Sequence, residues 1–327
     1  TASGALAADG AIRIGTAVAQ VASVDAGTND LDAGTTLTID AAGNVTTGDI
    51  GAGATSAVAI NAGGDIDTQG IFGDGAGVGS VTLSSSGGSV SVAGAQTSAG
   101  SGGDITLAGN GVTNTANSLI ADNDVVIDGG AGGVTLDGAA TVVDAGGAVD
   151  VDAGTTVALN GAIDAGGDVT VDTGGAVTLR GDVLSGGLIR IGAEGAEVGS
   201  LTADDDDNAT TTADAHVLQA AGTVTVDSDG DVNVGNIVAG NASAVDVEST
   251  AGAITTGGIF GAETDTGVGS INLDSATGVT THTASLIADN GGVTLDGGTG
   301  GVSVTGGVIR SQGDIDIDTG GAVALDD

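Results

Sequence analysis

The 327-residue chain lacks proline, cysteine, methionine, tryptophan, tyrosine and lysine, and it has only two phenylalanines. The absence of cysteine excludes disulfide bonds and thiolate metal sites. The chain has four arginines and 43 acidic side chains, which give a net charge of −39. This charge excludes nucleic acid as a partner, because four arginines would not neutralise the phosphates. No apolar run approaches the roughly 18 residues of a spanning helix, so membrane insertion is not expected. Residues 1–20 show no basic segment before an apolar core, so no signal peptide is expected.

Glycine and valine dominate what is present. The 65 glycines and the large net charge favour disorder by composition alone. Against this, 38 Val, 21 Ile, 17 Leu and two Phe make up about 24% of the chain, above the roughly 20% that is typical of disordered chains. Valine and isoleucine together outnumber leucine more than threefold, and β-branched side chains favour strands. The composition therefore predicts a folded β protein.

A short repeat organises the sequence. Gly-Gly recurs at 146–147, 166–167 and 186–187, and the alternating apolar residues between these pairs align at an interval of 20. Period-two alternation indicates short strands with one buried face, and no room is left for helical crossovers. Residues 20 apart are therefore expected to stack on parallel strands. The predicted fold class is all-β: a single-stranded parallel β-helix, or β-solenoid, expected to be right-handed, with about 20 residues per coil and some 16 coils.

A longer repeat overlies the short one. The segment 70–73 returns at 258–261, and the segment 118–123 returns at 285–290. Further along each copy stands Gly-Gly-Val-Thr-Leu-Asp-Gly, at 132–138 and at 291–297. These landmarks predict two diverged copies, residues 1–184 and 185–327, continuous with each other. Phe72 and Phe260 hold the same phase in the copies and are predicted to fill the core. The phase at the end of the second copy leads into another beginning, which predicts a longer array or a subunit that stacks end to end.

The run at 166–179, Gly-Gly-Asp-Val-Thr-Val-Asp-Thr-Gly-Gly-Ala-Val-Thr-Leu, resembles the repeats of filamentous haemagglutinin-like adhesins, the exported β-helix proteins of two-partner secretion. Similar runs occur at 63–67, 87–92, 102–107, 146–159 and 313–325. The resemblance implies a secreted or cell-surface protein that forms rods and serves adhesion or matrix building. It also implies an extracellular location and self-association, laterally or end to end, with a cell-surface or matrix ligand as a further partner.

The acidic residues are the candidate metal ligands. Stacking brings carboxylates such as Asp144 and Asp164 together, at a repulsion of about 1 kcal/mol per pair in a water-like dielectric, which a divalent cation would relieve. The candidates for calcium lie in one acidic run and one alternating strand: Asp204, Asp205, Asp206, Asp207, Asp314, Asp316 and Asp318. In the strand, alternation is expected to bury Ile315 and Ile317 and to project the three carboxylates outward. The alternative is a solvated acidic face without a defined ion, so no cofactor other than calcium is expected.

The sequence favours a structural segment of an extracellular fibre or surface adhesin and leaves other classes open. A calcium-binding secreted repeat protein is the first alternative. A β-helix enzyme acting on polysaccharides needs clustered acids, bases and aromatic platforms, for which four dispersed arginines and two phenylalanines offer little material. The chain is therefore not expected to be an enzyme. A tail spike would be expected to show more aromatic residues and a trimerising region.

Overall fold

The structure is a computed structural model that describes residues 5–73, 77–94, 96–100, 102–115, 118–137, 141–193, 195–203, 216–261, 267–282 and 285–326. These residues form short strands joined by turns and bends, with no helix among them. It follows that no helix long and apolar enough to cross a membrane occurs in the described ranges. The chain divides into two compact units, Thr1–Ala165 and Gly166–Asp327.

Unit 1 is a parallel β-solenoid in which every turn contributes one strand to each of three sheets. The first sheet has the order β1 (Leu6–Ala8), β4 (Leu31–Ala33), β7 (Ile50–Ala52), β10 (Ile71–Gly73), β13 (Gln96–Ala99), β16 (Ser118–Ala121), β19 (Thr141–Ala145) and β22 (Ala162–Ala165). The second has β2 (Ile12–Ile14), β5 (Leu37–Ala41), β8 (Ala57–Ala62), β11 (Ser80–Ser85), β14 (Ile105–Ala108), β17 (Val125–Asp128) and β20 (Val149–Ala153). The third has β3 (Val24–Asp25), β6 (Val45–Thr46), β9 (Ile66–Thr68), β12 (Val90–Val92), β15 (Val112–Thr115), β18 (Val134–Asp137) and β21 (Val157–Leu159).

Unit 2 has the same architecture. Its first sheet has the order β25 (Val183–Ser185), β28 (Leu218–Ala220), β31 (Ile237–Ala239), β34 (Ile259–Gly261), β37 (Leu286–Ala288) and β40 (Ile309–Ser311). The second has β23 (Val169–Thr173), β26 (Ile189–Ile191), β29 (Val224–Ser228), β32 (Ala244–Ser249), β35 (Ser270–Ser275), β38 (Val293–Asp296) and β41 (Ile315–Asp318). The third has β24 (Ala176–Leu179), β27 (Ser200–Ala203), β30 (Val232–Val234), β33 (Ile254–Thr256), β36 (Val279–His282), β39 (Gly301–Thr305) and β42 (Ala322–Asp326).

The predicted fold class, an all-β parallel solenoid, is confirmed, but the turns are longer and fewer than expected. The two units hold about 13 turns of about 22 residues, in place of 16 coils of 20. A spacing of 20 does occur where Ile105 pairs with Val125 and where Val169 pairs with Ile189. The turn after Ile189 is longer, because Ile189 pairs next with Val224 and the extra residues lie between β27 and β28.

The core consists of columns of apolar side chains that stack from turn to turn. In the second sheet of unit 1 one column pairs residues that are all fully buried: Ile39, Ile60, Leu83, Leu107, Ile127 and Val151. The matching column of unit 2 is Val171, Ile191, Val226, Val247, Leu273, Leu295 and Ile317. Since alternate residues of a strand point to opposite faces, the residues between these positions form the outer surface.

The prediction that the two phenylalanines fill the core is wrong. Phe72 is 45% exposed, and Phe260 is half-buried between the buried Ile259 and Gly261. In each strand the preceding isoleucine occupies the core position, since Ile71 and Ile259 are fully buried. Successive side chains of a strand point in opposite directions, so both rings are placed on the outer face of the first sheet.

Most landmarks of the long repeat occupy equivalent strands, with one exception. Arg13 and Arg190 both lie in the second sheet, in β2 and β26, and the two phenylalanines both lie in the first. The Val-Thr-Leu-Asp segment, however, forms β18 of the third sheet in one copy and β38 of the second sheet in the other. The proposed repeat boundaries, 1–184 and 185–327, stay a prediction.

Because core side chains stack from turn to turn, removing one of them is expected to lower the free energy of unfolding substantially. Leu136 is fully buried and pairs with Asn114 and Leu159, so Leu136→Ala is expected to lower the free energy of unfolding by about 2–5 kcal/mol through lost burial and the cavity left behind. The neighbouring Thr135 points outward and is exposed, so Thr135→Ala is the matched control, with an expected change within about 0.5 kcal/mol. Chemical denaturation of both variants measures the difference. Equal effects of the two substitutions would contradict the assigned orientation of β18.

Candidate functional site

Aspartate and asparagine residues directly before strands form a recurring hydrogen bond between turns. In each case the side-chain Oδ1 accepts from the backbone N–H of the residue that occupies the same position one turn later. Asp124 accepts from Ala148 at 2.7 Å, Asp168 from Leu188 at 2.9 Å and Asp231 from Ala253 at 2.9 Å. The other acceptors of this kind are Asp30, Asn44, Asp49, Asp65, Asp104, Asp182 and Asn236. We call these residues the turn-cap residues.

The turn-cap residues give many of the aspartates a structural role that sequence reasoning missed. The sheet ladder does not provide an acceptor for these backbone N–H groups, and the carboxylate takes the place of water as their acceptor. Hydrogen bonds to a charged carboxylate are stronger than hydrogen bonds between neutral groups. The sequence signal was available, because each of these residues immediately precedes the first apolar residue of a strand, as in Gly-Gly-Asp-Val at 166–169.

Buried serines at the ends of second-sheet strands add further bonds between turns. Ser249 Oγ donates to the Gly230 carbonyl of the preceding turn at 2.7 Å and accepts from the Gly252 amide of its own turn at 3.0 Å. Ser185, at the end of a first-sheet strand, donates to the Gly167 carbonyl at 2.8 Å. These contacts link the bends of one turn to those of the preceding turn.

An acidic column runs along the outer face of the second sheet in unit 2. Parallel pairing places five carboxylates on successive turns at one register position: Asp227, Glu248, Asp274, Asp296 and Asp318. Neighbouring strands lie about 4.8 Å apart, so each carboxylate has a like charge on the adjacent turn. We call this set the acidic column.

Burial and electrostatic repulsion both act on the carboxyl at the middle of the acidic column. The pKa of the Asp274 carboxyl is raised above its ordinary value, first by partial burial and then by the negative charges of Asp296 and Asp246. Asp246 lies on the neighbouring register position, where its Oδ1 accepts a hydrogen bond from Asn272 Nδ2 at 2.8 Å. The column is therefore a surface that attracts cations and repels anions.

A linear column differs from a metal cage. Calcium takes six to eight oxygen ligands that converge on one point, whereas an ion beside the column would meet the carboxylates of two adjacent turns. Within the described ranges no group of three acidic or histidine side chains is arranged to hold a metal ion. The surface suits diffuse attraction of cations, and a defined calcium site stays a prediction.

The candidate calcium ligands fall into two places. Asp204, Asp205, Asp206 and Asp207 lie outside the described residues. Asp316 and Asp318 are exposed on the outer face of β41, as predicted, and Asp318 belongs to the acidic column. Asp314 directly precedes β41 and so holds the position of a turn-cap residue.

The expectation that β41 buries both of its isoleucines is only partly met. Ile315 is 48% exposed and Ile317 is half-buried, although both continue apolar columns of unit 2. The residues with which they pair in β38, Val293 and Leu295, are fully buried. The reason is that β41 is the last strand of its sheet, so no further turn covers it among the described residues.

One ion pair joins adjacent turns at the other end of the second sheet of unit 2. Arg190 Nη1 and Nη2 donate to Asp172 Oδ1 and Oδ2, both at 3.0 Å, in a bidentate arrangement. Arg190 stands directly opposite Thr170 in the parallel register, so its guanidinium reaches the carboxylate two residues further along the preceding turn. The guanidinium of Arg190 therefore lies in line with the carboxylates of the acidic column.

A shallow depression of about 530 Å³ lies on the outer face of the first sheet in unit 1. Gly51 forms its floor because it has no side chain, and Phe72 and Asp32 are its lateral neighbours on the adjacent turns. Asp30 and Asp49 also line it. An aromatic ring among carboxylates suits an organic cation or a basic side chain.

Comparison of the chain with protein family models, curated proteins and solved structures finds no match.

The acidic column predicts a stabilising substitution whose effect depends on pH. Because the pKa of Asp274 is raised in the folded state, the folded protein binds the proton more tightly than the unfolded chain does. Stability contributed by this group is therefore present below the ordinary aspartate pKa and lost as the pH rises through the raised pKa. Asp274→Asn is expected to raise the melting temperature at neutral pH and to have no effect below the ordinary aspartate pKa.

The matched control is Asp137→Asn, since Asp137 has the uncharged Thr115 as its neighbour on the preceding turn. Thermal melts of both variants across the acid range give the comparison, with added salt expected to diminish the Asp274→Asn gain by screening. A melting temperature that is equal for wild type and Asp274→Asn at neutral pH would refute the repulsion.

Proposed function

We propose that the chain is a structural segment of an extracellular fibre or surface adhesin of the filamentous haemagglutinin-like kind, a stiff rod for attachment or matrix building. The observation that carries the proposal is the parallel stacking of successive turns within each unit, in register except for one shift between Thr141 and Val143. In all three sheets apolar columns and backbone ladders link neighbouring turns, and turn-cap bonds add to them at several turns. An array of this type gains length simply by adding turns, because each turn contacts only its neighbours.

The residues on the outer surface support a role as a spacer that holds attached parts at a distance. Outward positions of the strands carry threonine, aspartate and asparagine, and the net charge of −39 keeps separate rods hydrated and apart. Acidic faces disfavour nucleic acid and anionic membranes as partners, which leaves other copies of the chain and cell-surface or matrix ligands. The resemblance of residues 166–179 to exported adhesin repeats supports the proposed location outside the cell.

A catalytic role has less support. Hydrolysis or elimination on a polysaccharide needs an acid and a base that converge on one bond. Most carboxylates described above lie in the acidic column, accept turn amides or bond to one side chain, as Asp172 does to Arg190 and Asp246 to Asn272. We therefore propose that the chain is not an enzyme.

Surface labelling of the source cells tests the proposal. Antibodies against the 327-residue chain are expected to decorate intact cells or the filaments they shed, as seen by immunogold electron microscopy, and brief protease treatment of intact cells is expected to abolish the labelling. A strain without the gene and a cytoplasmic marker serve as controls. Labelling that appears only after the cells are broken open would rule out a surface fibre.

Removal of calcium with a chelator distinguishes the proposed structural role from the alternative, a calcium-binding repeat protein. Filaments kept in a calcium chelator are expected to retain their form and melting temperature, because the turns are linked by hydrogen bonds and apolar columns. Collapse on chelation, with recovery on adding calcium but not magnesium, would favour the calcium-binding repeat protein instead.

A further inference from the structure

The depression on the outer face of the first sheet in unit 1 is built around a glycine in the middle of a strand. Gly51 is the central residue of β7, and it lies opposite Asp32 on the preceding turn and opposite Phe72 on the next turn. Neighbouring strands are about 4.8 Å apart, so the backbones of Asp32 and Phe72 stand about 9.6 Å apart, with no side chain between them. We call this arrangement of three residues the glycine slot.

The backbone at Gly51 does not itself require a glycine. Its φ lies outside the left-handed region in which glycine is favoured. A glycine inside a strand weakens the strand and often marks a place where a ligand approaches the backbone closely. The atom nearest to a Cβ placed on Gly51 is Asp32 Oδ1, at 2.9 Å, so the carboxylate leans over the slot.

Unit 2 repeats this part of the first sheet with the slot filled. The strands β28, β31 and β34 pair in the same register as β4, β7 and β10. Their outer residues are, in order, Gln219, Val238 and Phe260. Val238 is only 7% exposed and Phe260 is half-buried, whereas Phe72 is 45% exposed. A valine therefore fits the backbone at this position and occupies the space that the glycine slot leaves open.

The two units also differ in charge at this place. Three carboxylates line the depression of unit 1, those of Asp30, Asp32 and Asp49. The equivalent residues of unit 2 are all neutral: Val217, Gln219 and Asn236. Turn capping does not account for the difference, because Asn236 caps the next turn at 2.8 Å and Asp49 does so at 2.9 Å. Within the described ranges no arginine or histidine pairs with the three carboxylates, so their charge can act on a ligand.

The carboxylates offer acceptors at two places in the depression. Asp30 and Asp49 each use Oδ1 to cap a backbone amide, and the second oxygen of a carboxylate can accept further hydrogen bonds. Asp32 lies two residues after Asp30, about 6.6 Å further along the strand direction. The ring of Phe72 lies near Asp49, since Phe72 Cδ1 and Asp49 Oδ1 are 3.6 Å and 3.4 Å from the position of a Cβ on Gly70.

We propose that this depression binds a small linear diamine. One ammonium lies over Gly51, where it donates to the Asp32 carboxylate on one side and meets the ring of Phe72 on the other. The second ammonium donates to the carboxylates of Asp30 and Asp49, and the methylene chain lies between them along the ring. A volume of about 530 Å³ suits a small molecule, and a second copy of the chain offers no such group because it has no lysine.

The test must separate this site from the general attraction of cations to a chain with a net charge of −39. Isothermal titration calorimetry of the 327-residue chain with putrescine is expected to show saturable binding at one site. Gly51→Val keeps every charge and fills the slot as Val238 does, so it is expected to abolish this binding. Phe72→Leu is expected to weaken it about two- to fivefold through loss of the cation–π contact. Asp32→Asn is expected to weaken it about five- to tenfold.

Matched controls use the same substitutions elsewhere in the chain. Asp67→Asn removes one exposed carboxylate from the third sheet, where the neighbours are the neutral Thr46 and Ser91, and is expected to bind putrescine like wild type. Phe260→Leu removes the counterpart ring of unit 2 and is also expected to bind like wild type. Butylamine has a similar carbon chain with a single ammonium, and it is expected to bind about five- to tenfold more weakly than putrescine.

Each contrary result overturns the site. Such results are wild-type protein without saturable binding, a folded Gly51→Val variant that binds like wild type, or Asp67→Asn weakening binding as much as Asp32→Asn does. Binding of a lysine-containing peptide without binding of putrescine would replace the diamine with a protein partner. If circular dichroism shows Gly51→Val to be unfolded, Phe72→Leu and Asp32→Asn decide. Surface labelling of cells tests the fibre role separately, so either proposal can fail while the other stands.

Discussion

The parallel in-register ladder is the constraint on which the rest of the structure depends. Each strand pairs with the strand one turn later, so the nearest lateral neighbour of a side chain is the residue at the same position of the next turn. Apolar positions gain from this arrangement because identical Val, Ile and Leu side chains bury one another. Acidic positions lose from it where carboxylates meet on adjacent turns, as they do along the acidic column. The composition of the chain reflects both consequences.

Aspartate resolves part of this conflict by hydrogen bonding to the backbone. A turn-cap aspartate uses its short side chain to accept the amide of the next turn, at 2.7 Å for Asp124 and 2.9 Å for Asp168. Glutamate is one methylene longer and would lose more rotamer freedom in the same contact. The excess of 39 aspartates over four glutamates is consistent with this geometry. At Asp274 partial burial and then the neighbouring negative charges of Asp296 and Asp246 raise the pKa of the carboxyl.

The sequence predicted the columns but not their details. Val169 over Ile189 followed from the interval of 20, because stacking imposes one register on all positions of a strand. The orientation of Ile71-Phe72 did not follow, since both residues are apolar and alternation alone does not say which of them faces the core. Val-Thr-Leu-Asp occupies different sheets in β18 and β38 because any strand of a turn can take the same sequence. The position of Asp168 before a strand can be read from the sequence, but its turn-cap role depends on the amide of the next turn, which the sequence alone does not place beside it.

Apolar columns cannot by themselves select which turn lies on which, because a ladder of Val and Ile accepts any other such ladder. Polar positions must therefore set the register. Only four arginines are available, and two of them, Arg13 and Arg190, stand at the same place in equivalent coils. Arg190 meets Asp172 on the preceding turn. A coil without such a carboxylate beneath its arginine would leave the guanidinium with a weaker partner. Stacking thus gives the structure its stability, and the few charges that break the repetition give it specificity.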